Sequence, residues 1–174
     1  DYLFKLDIII DGYENSNKNY ADLNINGKAY TLRTSPQIGP HYDKKKDRYE
    51  NRTFMSYTND KRKKQILADN NTKEYTNSYT WTGLAGKYFT ILVYPQNPET
   101  MGSVFYSTKI EQNNYPNAQA FLTRNAISQK NNKDSYYIYV GPRTDKGLKK
   151  YNLIQDNDWG LSNLRFDDSL QSSG

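Results

Sequence analysis

The stretch KYFTILVY, residues 87–94, is apolar at nearly every position and rich in aromatic and β-branched side chains. It has the length of a strand, and an apolar run without alternation is what a strand shows when both of its faces are covered. The reading is a strand at the centre of a sheet, with packed material on either side.

Working outward, residues 75–82 form a second strand candidate, separated from the first by the GLAG of 83–86. On the C-terminal side residues 103–111, 118–124 and 135–140 follow, and RTFMSYT (52–58) is a short candidate upstream. Near the N-terminus, YLFKLDIII (2–10) alternates, with Tyr2, Phe4, Leu6, Ile8 and Ile10 on one face and Lys5 and Asp7 on the other. That is the pattern of a half-buried strand. Residues 21–26 and 28–34 alternate again around Asn26-Gly27, a dipeptide suited to a type I′ hairpin turn because both central residues need positive φ. The series comes to about eight strands, at spacings typical of sandwiches.

Two stretches read as connections: SPQIGPHYDKKKDRYEN (35–51), with its prolines and charge run, and the polar, basic NDKRKKQILADNNTKEY (59–75). Only TDKGLKKY (144–151) reads as helix, with Thr144 or Asp145 as N-cap and Leu148 and Tyr151 three apart on one face. The class is all-β with a short C-terminal helical segment.

The chain has 174 residues, enough for one domain with a core of its own. Hydrophobic residues reach only 35 %, but 17 Tyr, 6 Phe and 2 Trp bury much area per residue and make a β-rich core workable. The net charge of +5 and the pI of about 9.1 sit largely in Asn/Lys-rich loops, a composition an AT-rich genome favours, and are not read as a nucleic-acid footprint. Cysteine is absent, which rules out disulfides, thiol catalysis and zinc-thiolate sites. No apolar run approaches the roughly 20 residues of a membrane helix, and no signal peptide is read. The expectation from the residues is a piece that is soluble as given, which leaves open its having been cut from a membrane protein.

Catalytic chemistry finds little to work with. His41 is the only histidine, and with Asp43 it makes at most a partial metal site; a Ser-His-Asp arrangement would need the same His41 without a nucleophile elbow. Asp156/Asp158 and Asp167/Asp168 are paired carboxylates, read as solvated loop acids with ordinary pKa values. GLAGK is too short for a phosphate loop. DKKKDR (43–48) and NDKRKK (59–64), with Tyr42, Tyr49 and Tyr57 nearby, are the only stretches a nucleic acid would use. A carbohydrate-binding sandwich would use Trp81 as a stacking platform, although the alternation of SYTWT reads Trp81 as core.

The segments YIYVGPRTDKGLKKYN (137–152) and DNDWG (156–160) resemble the end of the large periplasmic domain of the YidC membrane protein insertase family. DYLFKLDIII (1–10), YTLRTSPQIGPH (30–41) and WTGLAGKYFTILVYP (81–95) resemble further segments of that domain in the same order, so the resemblance covers essentially the whole chain. It implies a twisted β-supersandwich, galactose-mutarotase-like in shape, in which residues 1–174 are one domain: the C-terminal part, or a compact form, of the family's larger one. It implies no cofactor and no enzymatic activity, since shared architecture does not transfer a reaction. It implies a membrane-embedded parent chain and a place on the periplasmic face of the bacterial inner membrane, with Sec translocon subunits and nascent membrane proteins as partners and no nucleic acid.

Within that frame Gly141 and Pro142 end the aromatic strand, and a closing helix bearing Leu148 and Tyr151 packs back on the sheet. Residues 152–174 become a membrane-proximal tail, with Trp159, Leu161, Leu164 and Phe166 as membrane or inter-domain contacts. Trp159 suits an interfacial position because its ring is apolar and its N–H polar. The competing reading is that these four residues cover the base of the sandwich.

Overall fold

The structure, a computed structural model, describes residues 1–12, 23–36, 38–39, 45, 52–109 and 118–170. His41, Asp43, most of the 43–48 basic cluster and the start of the 21–26 strand candidate lie outside them. The described strands are β1 (Leu3–Ile10), β2 (Lys28–Arg33), β3 (Thr53–Thr58), β4 (Lys61–Gln65), β5 (Thr72–Tyr75), β6 (Trp81–Ala85), β7 (Phe89–Pro95), β8 (Met101–Ser107), β9 (Gln119–Asn125) and β10 (Asn132–Pro142), followed by helix α1 (Asp145–Lys149). They form a six-stranded sheet in the order β1-β10-β7-β6-β3-β4 and a four-stranded sheet in the order β2-β9-β8-β5, with antiparallel pairing throughout.

The run at 87–94 becomes β7, flanked by β10 and β6 inside the larger sheet. Ile91 and Val93 point between the sheets, where they meet Phe54, Leu84, Val104, Leu122 and Tyr136. Leu92 points the other way and is buried as well, because the C-terminal tail lies over the outer face of this sheet. The domain is therefore three layers deep: small sheet, large sheet, tail. The same covering explains Leu3. Alternation puts it with Lys5 and Asp7 on the face read as polar, yet it is buried with Tyr139, Leu148 and Phe166. Leu6 and Ile8, on the expected face of β1, are only half-buried, while Tyr2 and Phe4 stay exposed.

Several boundaries differ from the sequence reading, each for a physical reason. GLAG is not a connection: Gly83, Leu84 and Ala85 belong to β6, and the chain turns only after Gly86, whose N–H bonds to the carbonyl of Phe89. A Cβ on Gly83 would stand 1.9 Å from the Ile91 carbonyl oxygen, so glycine is what lets β6 approach β7. Residues 76–80 are not strand, and β5 ends at Tyr75.

The stretch 59–75 contains two strands rather than a connection. Asn59 and Asp60 both have positive φ, which closes the β3–β4 hairpin, and β4 is the edge of its sheet, where lysines guard against strand addition. The Asn26-Gly27 turn is as read, with φ of 54° and 77°, but its first arm is a single bridge at Ile25, and β2 pairs with β9 instead.

Helix α1 begins at its Thr144 cap, whose side chain accepts from the N–H of Gly147. Further single turns lie at Pro98–Thr100, Ile154–Asp156 and Phe166–Leu170. Among the described residues no helix is long and apolar enough to cross a membrane.

Candidate functional site

The end of the large sheet where β1 and β7 begin and β10 finishes is incompletely covered by the smaller sheet. There the Val140 N–H bonds to the Tyr2 carbonyl, Ile91 pairs with Val140, and Phe89 pairs with Pro142. The result is an apolar groove of about 510 Å³ lined by Tyr2, Ile38, Phe89, Ile91, Val140 and Pro142. Three of these rings and branches are open to solvent: Tyr2 is 53 % exposed, Phe89 41 % and Val140 47 %. Tyr88, next to Phe89, is exposed too and lies under the Lys87 ammonium. Contiguous exposed apolar surface of this kind marks a contact site more often than a solvated face.

Tyr2 is the divide between this groove and a second cleft of about 640 Å³, bounded by Asp1, Thr144, Lys146, Lys150 and Tyr151. Its ring crosses β10 at Gly141, where a Cβ would lie 2.6 Å from that of Tyr2. Beneath, burial and then the neighbouring Tyr2 push the Tyr139 phenol up to about 12; burial and then Tyr139 push Tyr151 up to about 12. Both are neutral hydrogen-bond donors at physiological pH, Tyr139 to the Pro142 carbonyl and Tyr151 to the Asp1 carboxylate. The groove itself offers shape and apolar area and holds no paired acid and base. Among the described residues no three His, Cys, Asp or Glu side chains converge on a metal-sized space.

The residues singled out from the sequence sort into two groups. Leu148, Tyr151, Leu164 and Phe166 are all buried against the outer face of the large sheet, with Leu3, Met55, Tyr57, Trp81, Leu92 and Tyr139. Trp159 and Leu161 pack at the rim of that cluster; Trp159 meets Tyr137 edge-on at 6.2 Å. Gly141 and Pro142 are the last residues of β10. Trp81 is fully buried, stacked on Tyr57 at 5.2 Å with its N–H on the Leu164 carbonyl, and presents no platform to a sugar. Asp168 corrects the reading of solvated tail acids: it is 9 % exposed and pairs with Arg165 at 3.1 Å, whereas Asp156 and Asp158 are exposed as expected.

Two features went unread. Phe89 and Val140 sit in segments whose composition says core, and nothing local shows that the facing sheet stops short of them, while Ile38 sits in a stretch read as a surface connection and is buried. A buried polar knot joins the sheets elsewhere: Arg124 makes two bonds to Asp134, at 3.0 and 3.1 Å, and Tyr30 donates to the same carboxylate at 2.6 Å. Burial alone would raise Asp134, but the bonds from Arg124 and Tyr30, with the nearby Asn132 amide and the Arg124 charge, outweigh it and hold the carboxyl below its ordinary value.

By architecture this is an antiparallel β-sandwich domain with its C-terminal tail folded onto one sheet and an apolar groove at one end. No protein-family model matches it. Along its full length it is 37 % identical, over 176 aligned positions, to the membrane protein insertase YidC of Treponema denticola, of which it spans 29 %. Over 84 % of its length it is 32 % identical to the membrane protein insertase YidC of Treponema pallidum, spanning 23 % of that protein. The chain belongs to the YidC membrane protein insertase family as a homologue of that one segment, and it spans less than a third of these curated relatives.

Proposed function

We propose that this domain is the periplasmic, non-catalytic part of an insertase, and that it supplies a protein-interaction surface during insertion and folding of inner-membrane proteins. The observation that carries the reading is the apolar groove between Tyr2, Ile38, Phe89 and Val140, open at one end of the sandwich. Its occupant is an apolar stretch of a nascent membrane protein, the kind of substrate the relatives' name specifies. An extended segment laid there would exchange water for the Phe89 and Val140 side chains, worth about 25 cal/mol per Å² of apolar area covered. Sec translocon subunits are the second class of partner, held through the same end of the sandwich, and the periplasmic face of the inner membrane is where both meet the domain.

The test places a photo-crosslinking amino acid at Phe89 or Val140 in the parent insertase and, as a control, at Lys133 at the opposite end of β10. Adducts with a nascent membrane protein or a translocon subunit at the first two positions and not at the third are expected. Equal labelling at all three, or labelling only at Lys133, would overturn the assignment.

A further inference from the structure

On the far side of the sandwich from the groove, the edge strands of the two sheets face each other across a second opening. β4 pairs with β3 so that Lys63 stands opposite Ser56 and Gln65 opposite Phe54; β5 pairs with β8 so that Lys73 stands opposite Tyr106 and Tyr75 opposite Val104. Phe54 and Tyr106 line the inter-sheet core, so alternation directs Lys63 and Lys73 inward from the two sheets onto one space. The space is a cleft of about 380 Å³, with Lys64 also at its wall. Among the described residues no carboxylate lines it: Glu74, between Lys73 and Tyr75, alternates to the opposite face.

The interior of the cleft is built for a negative guest. Its floor is the Phe54–Tyr106 stack, ring centroids 4.7 Å apart, and Lys63 lies over the Tyr75 ring at 5.5 Å. The Tyr75 hydroxyl is buried without a hydrogen bond among the described residues, an unfavourable state that an arriving acceptor would relieve. Burial would raise its pKa, yet the polar side chains of Ser56, Thr58 and Asn77 and the charge of Lys63 outweigh this and lower it, although none makes a bond of ordinary geometry to it. Guarding two edges against strand addition accounts for lysines pointing inward. It does not account for an orphaned phenol donor between them.

We infer that the cleft between β4 and β5 binds a phosphate ester, with the Lys63 and Lys73 ammonium groups and the Tyr75 hydroxyl on the phosphate oxygens and the ester carbons over the Phe54–Tyr106 floor. Donors converging from two sheets and a phenol suit the tetrahedrally arranged oxygens of a phosphate ester better than the two coplanar oxygens of a carboxylate. Such a group is either the headgroup of an anionic phospholipid or a free small phosphate ester.

Calorimetric titration of the chain with glycerol 3-phosphate, with acetate as the planar control, tests the chemistry. Sedimentation with phosphatidylglycerol or phosphatidylcholine vesicles separates the sources. Lys63→Gln/Lys73→Gln should weaken binding of the responding probe by about tenfold or more, whereas Lys28→Gln/Lys133→Gln, removing the same charge elsewhere, should leave it nearly unchanged. Tyr75→Phe should weaken it severalfold without lowering the unfolding midpoint. Retention on phosphatidylglycerol vesicles that depends on Lys63 and Lys73 assigns the headgroup; a response to glycerol 3-phosphate without vesicle retention assigns the free ester. No response to either probe, an equal response to acetate, or equal weakening by both lysine pairs would overturn the inference.

Discussion

The indole N–H of Trp159 donates to the carboxylate of Asp1 at 2.8 Å, joining the first residue of the chain to its tail across 158 positions of sequence. The Tyr151 hydroxyl donates to the other oxygen of the same carboxylate, and the Asp1 side chain also accepts from the Leu3 N–H. The tail is thus fastened to the large sheet by polar bonds at its rim and by Leu148, Leu164 and Phe166 inside.

The contacts of that fastening all lie within the chain. Phe166→Ala is expected to lower the unfolding free energy by about 4 kcal/mol in plain buffer, and Trp159→Phe, which keeps an aromatic ring but drops the donor, by about 1 kcal/mol. Urea unfolding of the two variants checks this. A Phe166→Ala protein as stable as the parent would mean that the tail is held by something other than the sheet.

Gly83→Ala is expected to be more damaging than its one added methyl suggests. The new Cβ would run into backbone, the Ile91 carbonyl at 1.9 Å, and backbone in a central strand pair has nowhere to move. A loss of at least about 3 kcal/mol, or no soluble protein, is the outcome expected from thermal unfolding.

Acid should loosen the Arg124–Asp134 knot. The folded-state pKa of Asp134 lies below the ordinary 3.8, so its contribution is complete above that value and is lost as the pH falls through the lowered one. Asp134→Asn leaves a buried guanidinium unpaired at neutral pH and should cost about 3 kcal/mol, while flattening the fall in stability below pH 3.8. Urea midpoints measured across the acid range for parent and variant give both numbers.

Alkali should act on the tail. Tyr139 and Tyr151 are pushed from an ordinary 10.0 to about 12, so the folded state holds these protons more tightly than the unfolded chain. Their contribution is complete below pH 10 and is lost as the pH rises from 10 to 12. Tyr151→Phe should be about 1 kcal/mol less stable at neutral pH and should lose less between those limits, as read from urea midpoints alongside phenolate absorbance.

Much of the architecture was legible because periodicity is local. The nearly continuous apolar run at 87–94 announced a strand covered on both faces, Asn26-Gly27 a tight turn, and Thr144 with Leu148 a capped helix, although that helix stops at Lys149 and the buried Tyr151 follows it. These features depend on backbone sterics and on neighbours a few residues away, which the sequence states directly. The lysine-rich strand Lys61–Gln65 escaped because a sheet edge tolerates what a central strand forbids, and edge position is a property of the sheet order.

Alternation by itself divides each strand into two faces and leaves open what covers either. It established that the domain is a sandwich of antiparallel strands closed by a short helix. Tertiary structure alone decided that Leu3 faces a covered surface, that Arg124 and Asp134 meet in the interior, and that Phe89 and Val140 are left open to solvent. Each of those outcomes follows from how far one layer extends over another, and that extent is set by contacts between segments far apart in the chain.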